Sequence, residues 1–367
     1  MRDHPENNLV LICPGKPEPD CRLFRLLDAL DIHPGGFSMH IYREEELVPI
    51  RNARILFAIQ VDDAGINLEW SRMLRKIRLK RKFFEGSVGA VITDSPSEFF
   101  TKAVGREAVL SINMSGCAFP GRPLVEATGS LMNFKVLSDL NGTSLWETYV
   151  AETKGLISRL CSFMLPEKKK NPKILVLHAS IRETSNTLTL WNLVKDRLPE
   201  NFKILEIPLL NGTINDCIGC PFTTCMHFSK KGKCYYGGVV VEQVHPALEE
   251  CDALVMLCPN YNDALSANLQ ATVNRLTSIY RRRQFFDKLL FGIIVSGYSG
   301  SDIPAEQLIS ALNMNKTFTL PPYFVMMETA NDPGSILKTP GIEERADLFA
   351  RNLVNQMIQD EENTAAG

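Results

Sequence analysis

Short apolar runs alternate with amphipathic stretches through most of this chain. In the second half the runs are Ile174–Leu177, Lys203–Ile207, Ala253–Leu257, Leu290–Val295 and Tyr323–Met327. Each is bounded by polar or glycine-containing segments, which predicts short buried strands. Between them apolar residues recur at helical spacing. Leu188, Trp191, Val194 and Leu198 form one stripe, and Leu265, Leu269, Val273, Leu276 and Ile279 form another. Helices are also predicted over Val239–Glu250, Ala305–Leu312 and Glu343–Gln359. Five strands alternating with helices imply an α/β fold with a doubly wound parallel sheet, because parallel neighbours need right-handed helical crossovers. The first half repeats the pattern less clearly, with strands expected at Leu9–Ile12, Phe37–Tyr42, Ile55–Ile59, Val88–Thr93 and Phe134–Leu137.

The two halves also share spaced words. Val61-Asp-Asp-Ala64 stands 200 residues before Tyr261-Asn-Asp-Ala264, and Asn113-Met114 stands 200 before Asn313-Met314. Asn67-Leu68 matches Asn268-Leu269, and Lys82-Phe-Phe-Glu85 matches Gln284-Phe-Phe-Asp287. Four such pairs in one order predict a duplicated domain. The polar, proline-flanked stretch Pro166–Lys173 reads as the junction. The expected plan is a first domain over 1–162, a linker over 163–172, a second domain over 173–358 and a flexible tail over 359–367.

Composition adds exclusions. Apolar residues are 45% and charged residues 22% of the 367, the mix of an ordinary globular protein. A net charge of −2 gives no electrostatic case for nucleic acid or an anionic membrane. The basic runs Arg75–Lys82 and Arg281–Arg283 read as solvated helix ends. No run approaches the ~20 apolar residues of a membrane helix. The polar start Met1–Asn8 carries no signal peptide, so a cytoplasmic location and reduced thiols are expected for the ten cysteines.

Three loops carry the candidate chemistry, each after an apolar run. The loop Ala179–Thr187 joins a strand to a helix N-terminus, where free N–H groups and the helix dipole favour an anion. Ser180, Arg182, Ser185, Asn186 and Thr187 place five donors in eight residues, more than a helix cap explains. Neither GxxxxGK[ST] nor GxGxxG is present. The loop after Ala253–Leu257 contains Pro259, Asn260, Tyr261 and Asn262, an aromatic ring with polar neighbours suited to a flat heterocycle. The third loop contains Ser296, Gly297 and Gly300, small residues that let a ring approach the backbone.

Together these motifs resemble the NADPH-dependent FMN reductase family, which has the flavodoxin-like fold. The resemblance covers residues 173–330. The family opens with Gly-Ser-x-Arg-x-x-Ser-Asn-Thr; here the segment reads Ala179-Ser180-Ile181-Arg182-Glu183-Thr184-Ser185-Asn186-Thr187. Its second signature, Pro-x-Tyr-x-x-x-x-Ser-Ala, appears as Pro259-Asn260-Tyr261 through Ser266-Ala267. The resemblance implies that the first loop holds the FMN phosphate and that the second and third meet the isoalloxazine ring. With the internal duplication, it implies two tandem flavodoxin-like doubly wound parallel five-stranded sheets. Two departures stand out. Ala179 replaces the first glycine, and Gly237-Gly238 stand where relatives often carry an acidic pair.

Cys217, Cys220, Cys225 and Cys234 form C-x2-C-x4-C-x8-C. Four thiolates on one excursion would suit a [4Fe–4S] cluster or zinc, and the iron–sulfur flavoprotein branch of the family has a similar but tighter cluster. The spacing leaves iron–sulfur, zinc and no metal open. Cys251 and Cys258 read as buried side chains. Cys13, Cys21, Cys117 and Cys161 have no metal-like spacing.

The first half lacks the motifs. After its first strand stands Cys13-Pro-Gly-Lys-Pro-Glu-Pro-Asp20, whose three prolines remove N–H donors. It is expected to be a degenerate copy without cofactor. The stretch Gly116–Ser130 reads as a functional loop or a structural connection.

The leading expectation is an FMN-dependent NAD(P)H oxidoreductase passing electrons from nicotinamide through flavin to a small-molecule acceptor. No catalytic side chain is assigned, because the flavin carries the chemistry. The alternatives are an electron-transfer flavoprotein whose iron–sulfur cluster serves a protein partner, and a non-catalytic sensor on an inactive fold. The resemblance implies a homodimer, and the duplication offers an internal pseudo-dimer in its place.

Overall fold

The computed structural model describes residues 9–30, 39–180 and 185–359. The chain forms two compact units, Met1–Met164 and Leu165–Gly367. Unit 1 runs β1 (Leu9–Ile12), α1 (Arg22–Ala29), β2 (Met39–Ile41), β3 (Arg54–Gln60), α2 (Leu68–Arg78), β4 (Val88–Asp94), α3 (Thr101–Asn113), β5 (Leu124–Ala127), α4 (Lys135–Asn141) and α5 (Leu145–Ser162). Unit 2 runs β6 (Lys173–His178), α6 (Asn186–Lys195), β7 (Lys203–Pro208), α7 (Phe222–Ser229), α8 (His245–Glu250), β8 (Ala253–Pro259), α9 (Ala267–Arg275), α10 (Thr277–Tyr280), β9 (Leu289–Ser296), α11 (Asp302–Leu308), β10 (Val325–Thr329) and α12 (Ile342–Met357).

Every strand pair is parallel. The orders are β2-β1-β3-β4-β5 and β7-β6-β8-β9-β10. Each is a flavodoxin-like sheet, with a crevice at the carboxyl ends where the order reverses between its first and third strands. The central strands β8 and β9 are buried at every position, as expected for a sheet covered on both faces. The edge strand β7 keeps alternate positions exposed. Trp191 and Val194 of α6 pack with Phe349 and Leu353 of α12 on one face of the unit 2 sheet.

Local signals set the helix starts. Asn67, Ser144 and Ser185 cap α2, α5 and α6 through side-chain oxygens, and Ser144 with Glu147 forms a capping box. Arg75, Lys76 and Arg78 occupy the last turn of α2, where positive charge suits the carboxyl end of the helix dipole.

One pair of repeated words holds equivalent places. Asn113 and Asn313 are fully buried, and each donates its amide to a carbonyl a few residues on, Cys117 O at 2.9 Å and Phe318 O at 2.7 Å. The next residues, Ala118 and Thr319, form parallel bridges to Val88 and Leu289. The duplicated words therefore brace the same turn twice.

One strand differs from expectation. Phe134–Leu137 is not a strand; Met132–Phe134 is a 3-10 turn leading into α4. Phe134 is apolar because its ring stacks on Tyr149 of α5, with centroids 5.4 Å apart. The fifth strand is Leu124–Ala127, inside the stretch read as a loop. Its four residues, next to Pro123 and close to Gly129, are too few to show an alternation. The polar junction is also anchored: Lys169 N donates to Met357 O at 2.8 Å, at the end of α12. Arg182 and the tail from Asp360 lie outside the described residues. No helix among the described residues is long and apolar enough to cross a membrane.

Candidate functional site

The carboxyl ends of the unit 2 strands surround a cavity of about 670 Å³, within the usual range for small-molecule sites. Five loops line it. Ala179, Ser180, Ser185, Asn186 and Thr187 come from the loop after β6, and Asn211 follows β7. Pro259, Asn260, Tyr261, Ser266, Ala267 and Asn268 follow β8. Val295 lies near the end of β9 and Gly297 just after it, and Ala330, Asn331 and Pro333 follow β10. None of these lining residues is Asp, Glu, His, Lys or Arg.

The first loop is braced from several sides. Ser185 caps α6 and donates from Oγ to Ser180 Oγ at 3.1 Å. The Asn186 amide donates to Ala330 O at 3.0 Å and Asp332 O at 2.9 Å, and its oxygen accepts from Ile336 N. Asn186 therefore spends its side chain tying the first loop to the last, leaving hydroxyls and backbone as the donors. Two helix N-termini, those of α6 and α9, face the same cavity, and both favour negative charge there.

The second loop turns through Asn262 and Asp263, at φ 54° and 55°, between the bridged pair Tyr261 and Ala264. Asn and Asp tolerate this left-handed geometry, as a tight two-residue turn requires. The turn leaves the Tyr261 ring 63% exposed at the cavity, free to lie against a planar ligand. The Asn260 amide nitrogen donates to Ser296 Oγ at 3.0 Å and lies within 3.3 Å of Asp263 Oδ1, Ser299 O and Gly300 O. Ser296 is fully buried and shares a hydroxyl contact of 2.6 Å with Ser301.

The glycines have distinct reasons. Gly300 sits at φ +81°, and a Cβ there would lie 2.5 Å from Asp263 Oδ1. A Cβ on Gly297 would lie 2.9 Å from Asn331 Oδ1, inside the cavity lining. Of the residues expected at the site, Ser180, Ser185, Asn186, Thr187, Pro259, Asn260, Tyr261 and Gly297 line the cavity. Asn262, Ser296 and Gly300 do not; they shape the turn and its brace. Sequence reasoning missed Asn211, Asn268 and Asn331. Only Asn268 carried a signal, through its match to Asn67. Its amide donates to Leu209 O and Asn211 Oδ1, as the Asn67 amide donates to Gln60 O and Pro14 O.

Behind the first loop lies His178, the last residue of β6, 7% exposed. Its Nδ1 is 3.2 Å from Ser180 O. Burial pushes its pKa down, against the pull of Glu206 on β7 and the bond to Ser180. For Glu206, burial pushes upward but is outweighed by hydrogen bonds from Trp191 and Lys195, so it sits low.

The cysteine expectation needs correction. Among the described residues no group of three or more His, Cys, Asp and Glu side chains is arranged to hold a metal ion. Cys217, Cys220, Cys225 and Cys234 thus do not form a four-ligand site. α7 intervenes and carries Cys225 on a helix, while Cys217 is exposed before it. The structure gives no support for an iron–sulfur cluster or zinc at these residues. Cys251 and Cys258 are buried, and burial pushes both thiols up, Cys251 to about 12.

Unit 1 fills the same place with its own side chains. Arg22, like Asn186, is the first residue of the helix after the first strand. It donates to Ala127 O and Gly129 O, as Asn186 does to Ala330 O and Asp332 O. Arg22 also pairs with Asp94 through Nε and Nη2 at 3.0 Å, and Tyr149 Oη donates to the same carboxylate at 3.0 Å. Asp94 corresponds to Val295, since Val61 N and Asn260 N bond to their carbonyls.

Residues 172–332 match the model of the NADPH-dependent FMN reductase family. The second unit belongs to that family. It is an FMN-reductase-like oxidoreductase domain. Among solved structures, similar chains include RosB with a bound 8-demethyl-8-formylriboflavin-5'-phosphate intermediate. The identity is 12%, the match covers 50% of this chain and 78% of that one, and the TM-score is 0.39. A NAD(P)H:quinone oxidoreductase from Methanothermobacter marburgensis is 18% identical over 49% of this chain and 94% of its own, with a TM-score of 0.37. An FMN-dependent NADH-azoreductase from Bacillus anthracis, in complex with FMN, is 13% identical over 50% and 99%, with a TM-score of 0.31. No curated protein sequence matches.

Proposed function

We propose that unit 2 binds FMN in the cavity at its strand ends and works as an NAD(P)H-dependent oxidoreductase toward a small-molecule acceptor such as a quinone, nitro or azo compound. The observation that carries this reading is the cavity itself. It offers hydroxyl, amide and helix N-terminal donors, and an exposed aromatic ring, with no acidic or basic side chain in its lining. That donor set fits a phosphorylated flavin. FMN, when bound, supplies the hydride chemistry.

The chain's own residues bind and orient. Ser180, Ser185 and Thr187, with the amino end of α6, would hold the phosphate. Arg182 would join them as the cation of the same motif. Tyr261 would cover the ring, and the backbone near Gly297 would approach its edge. The brace from Asn260 to Ser296 fixes the distance between those two loops. No carboxylate among the described lining residues repels negative charge in the cavity.

Unit 1 is read as carrying no flavin, because Arg22, Asp94 and Tyr149 take the space and hydrogen bonds a ligand would need. The stoichiometry is then one FMN per chain. The test is to titrate purified protein with FMN, then add NADH or NADPH without oxygen and follow flavin bleaching. Reoxidation by a quinone, nitro or azo compound completes the cycle. Protein that takes up no FMN at saturating concentration sinks the reading.

A further inference from the structure

We propose that His178 is a positioning residue for the first cavity loop: its Nδ1–H holds the Ser180 carbonyl away from the cavity, and so sets the preference for a phosphorylated over an unphosphorylated flavin. This inference rests on the reading of the cavity as a flavin site.

The geometry supports it in three steps. The acceptor at Nδ1 is a backbone carbonyl, 3.2 Å away, and a carbonyl only accepts. The imidazole must therefore carry a proton on Nδ1, which fixes its tautomer. Second, the ring is held where it is. His178 ends β6, between Pro208 of β7 and Leu257 of β8, and its own carbonyl accepts from Leu209 N at 2.7 Å. A buried ring on a three-strand platform is a rigid donor. Third, the carbonyl it holds belongs to Ser180, whose hydroxyl accepts from Ser185, the cap of α6. One bond thus governs both the direction of the Ser180 carbonyl and the seat of a hydroxyl expected at the phosphate. Released, that carbonyl could turn its negative end toward the anion it now avoids.

Glu206 is the charged group facing His178, and it is engaged by Trp191 and Lys195 on α6. The platform beneath the loop is therefore a hydrogen-bonded network of β6, β7 and α6, separate from the cavity lining.

The experiment compares FMN with riboflavin, which lacks the phosphate, on wild type, His178→Ala and His178→Asn. Asparagine can place its amide nitrogen where Nδ1 stands. The expected result is that H178A weakens FMN about 5- to 10-fold, the worth of about one hydrogen bond. Riboflavin affinity should stay within about 2-fold, and H178N should restore most of the FMN preference. Equal losses for both flavins, or no rescue by H178N, would overturn the proposal. Nitrogen-15 imidazole shifts of the wild type give a second measurement independent of any variant. Protonation at Nδ1 is expected, and a neutral ring protonated only at Nε2 refutes the bond. Wild-type protein that binds neither flavin would instead sink the flavin reading itself.

Discussion

The Asn260 amide nitrogen stands 3.0 Å from Ser296 Oγ and joins the loop after β8 to the loop after β9. Everything else that nitrogen approaches is also an acceptor: Asp263 Oδ1, Ser299 O and Gly300 O. Asn260→Ala should therefore cost about 1–2 kcal/mol of unit 2 stability. Asn260→Asp should cost more, since it sets a carboxylate against four oxygens. Denaturant unfolding with FMN titration checks the order; an Asp variant as stable as wild type would refute the brace.

Gly300 answers two demands that can be separated. Its φ of +81° costs a non-glycine residue roughly 1–2 kcal/mol, and the Asp263 contact adds a clash. Gly300→Ala should lose stability on both counts. Adding Asp263→Ala should return only the clash. Full recovery in the double variant would mean that the backbone angle costs nothing.

His245 should make the chain acid-sensitive. Burial chiefly pushes its pKa down from 6.5 to about 4, and the cations of Arg275 and Arg282 push the same way. Between those values the unfolded chain takes up a proton that the native state refuses, so stability falls as pH falls from about 6.5 toward 4. The whole window is worth roughly 3 kcal/mol, at ~1.36 kcal/mol per unit. Chemical denaturation at pH 7 and pH 5 should show a loss of about 2 kcal/mol from this residue, flattened in His245→Gln. An equal slope in the variant would assign the loss elsewhere.

The ion pair of Arg22 and Asp94 should matter to unit 1 alone. Asp94 is 3% and Arg22 16% exposed at the side chain, so removing one partner strands a buried charge. Arg22→Ala should destabilise unit 1 by about 3–5 kcal/mol, while FMN uptake stays at one per chain. Proteolysis mapped to residues below 165 reads the first effect, and flavin absorbance the second. A variant that takes up a second flavin would show that Arg22 alone keeps ligand out of unit 1.

Much of this was readable in advance where the physics is local. The fully buried β8 and β9 advertised themselves as apolar runs, and Ser185 as a helix cap. Of the 200-residue words, Asn113-Met114 and Asn313-Met314 marked true equivalents, because Asn113 and Asn313 do the same structural task. β5 was hidden because four residues beside a proline carry little pattern, and Phe134 misled because it packs from a helix. Asn211 and Asn331 were invisible because single asparagines enter the cavity only through tertiary placement. Arg22 could not be foreseen as the occupant of the degenerate site, since its partner Asp94 is 72 residues away. The cysteine spacing left iron–sulfur, zinc and no metal open, and among the described residues no metal-holding group is found.

The contrast between a cavity in one unit and Arg22, Asp94 and Tyr149 in the other has a consequence for how the chain ages. Ligand that binds only the native state adds about 2.7 kcal/mol at a hundredfold excess over Kd. If FMN binds unit 2 alone, as proposed, only unit 2 draws on that increment. When flavin is scarce, one half of the chain becomes easier prey for proteases while the other does not change.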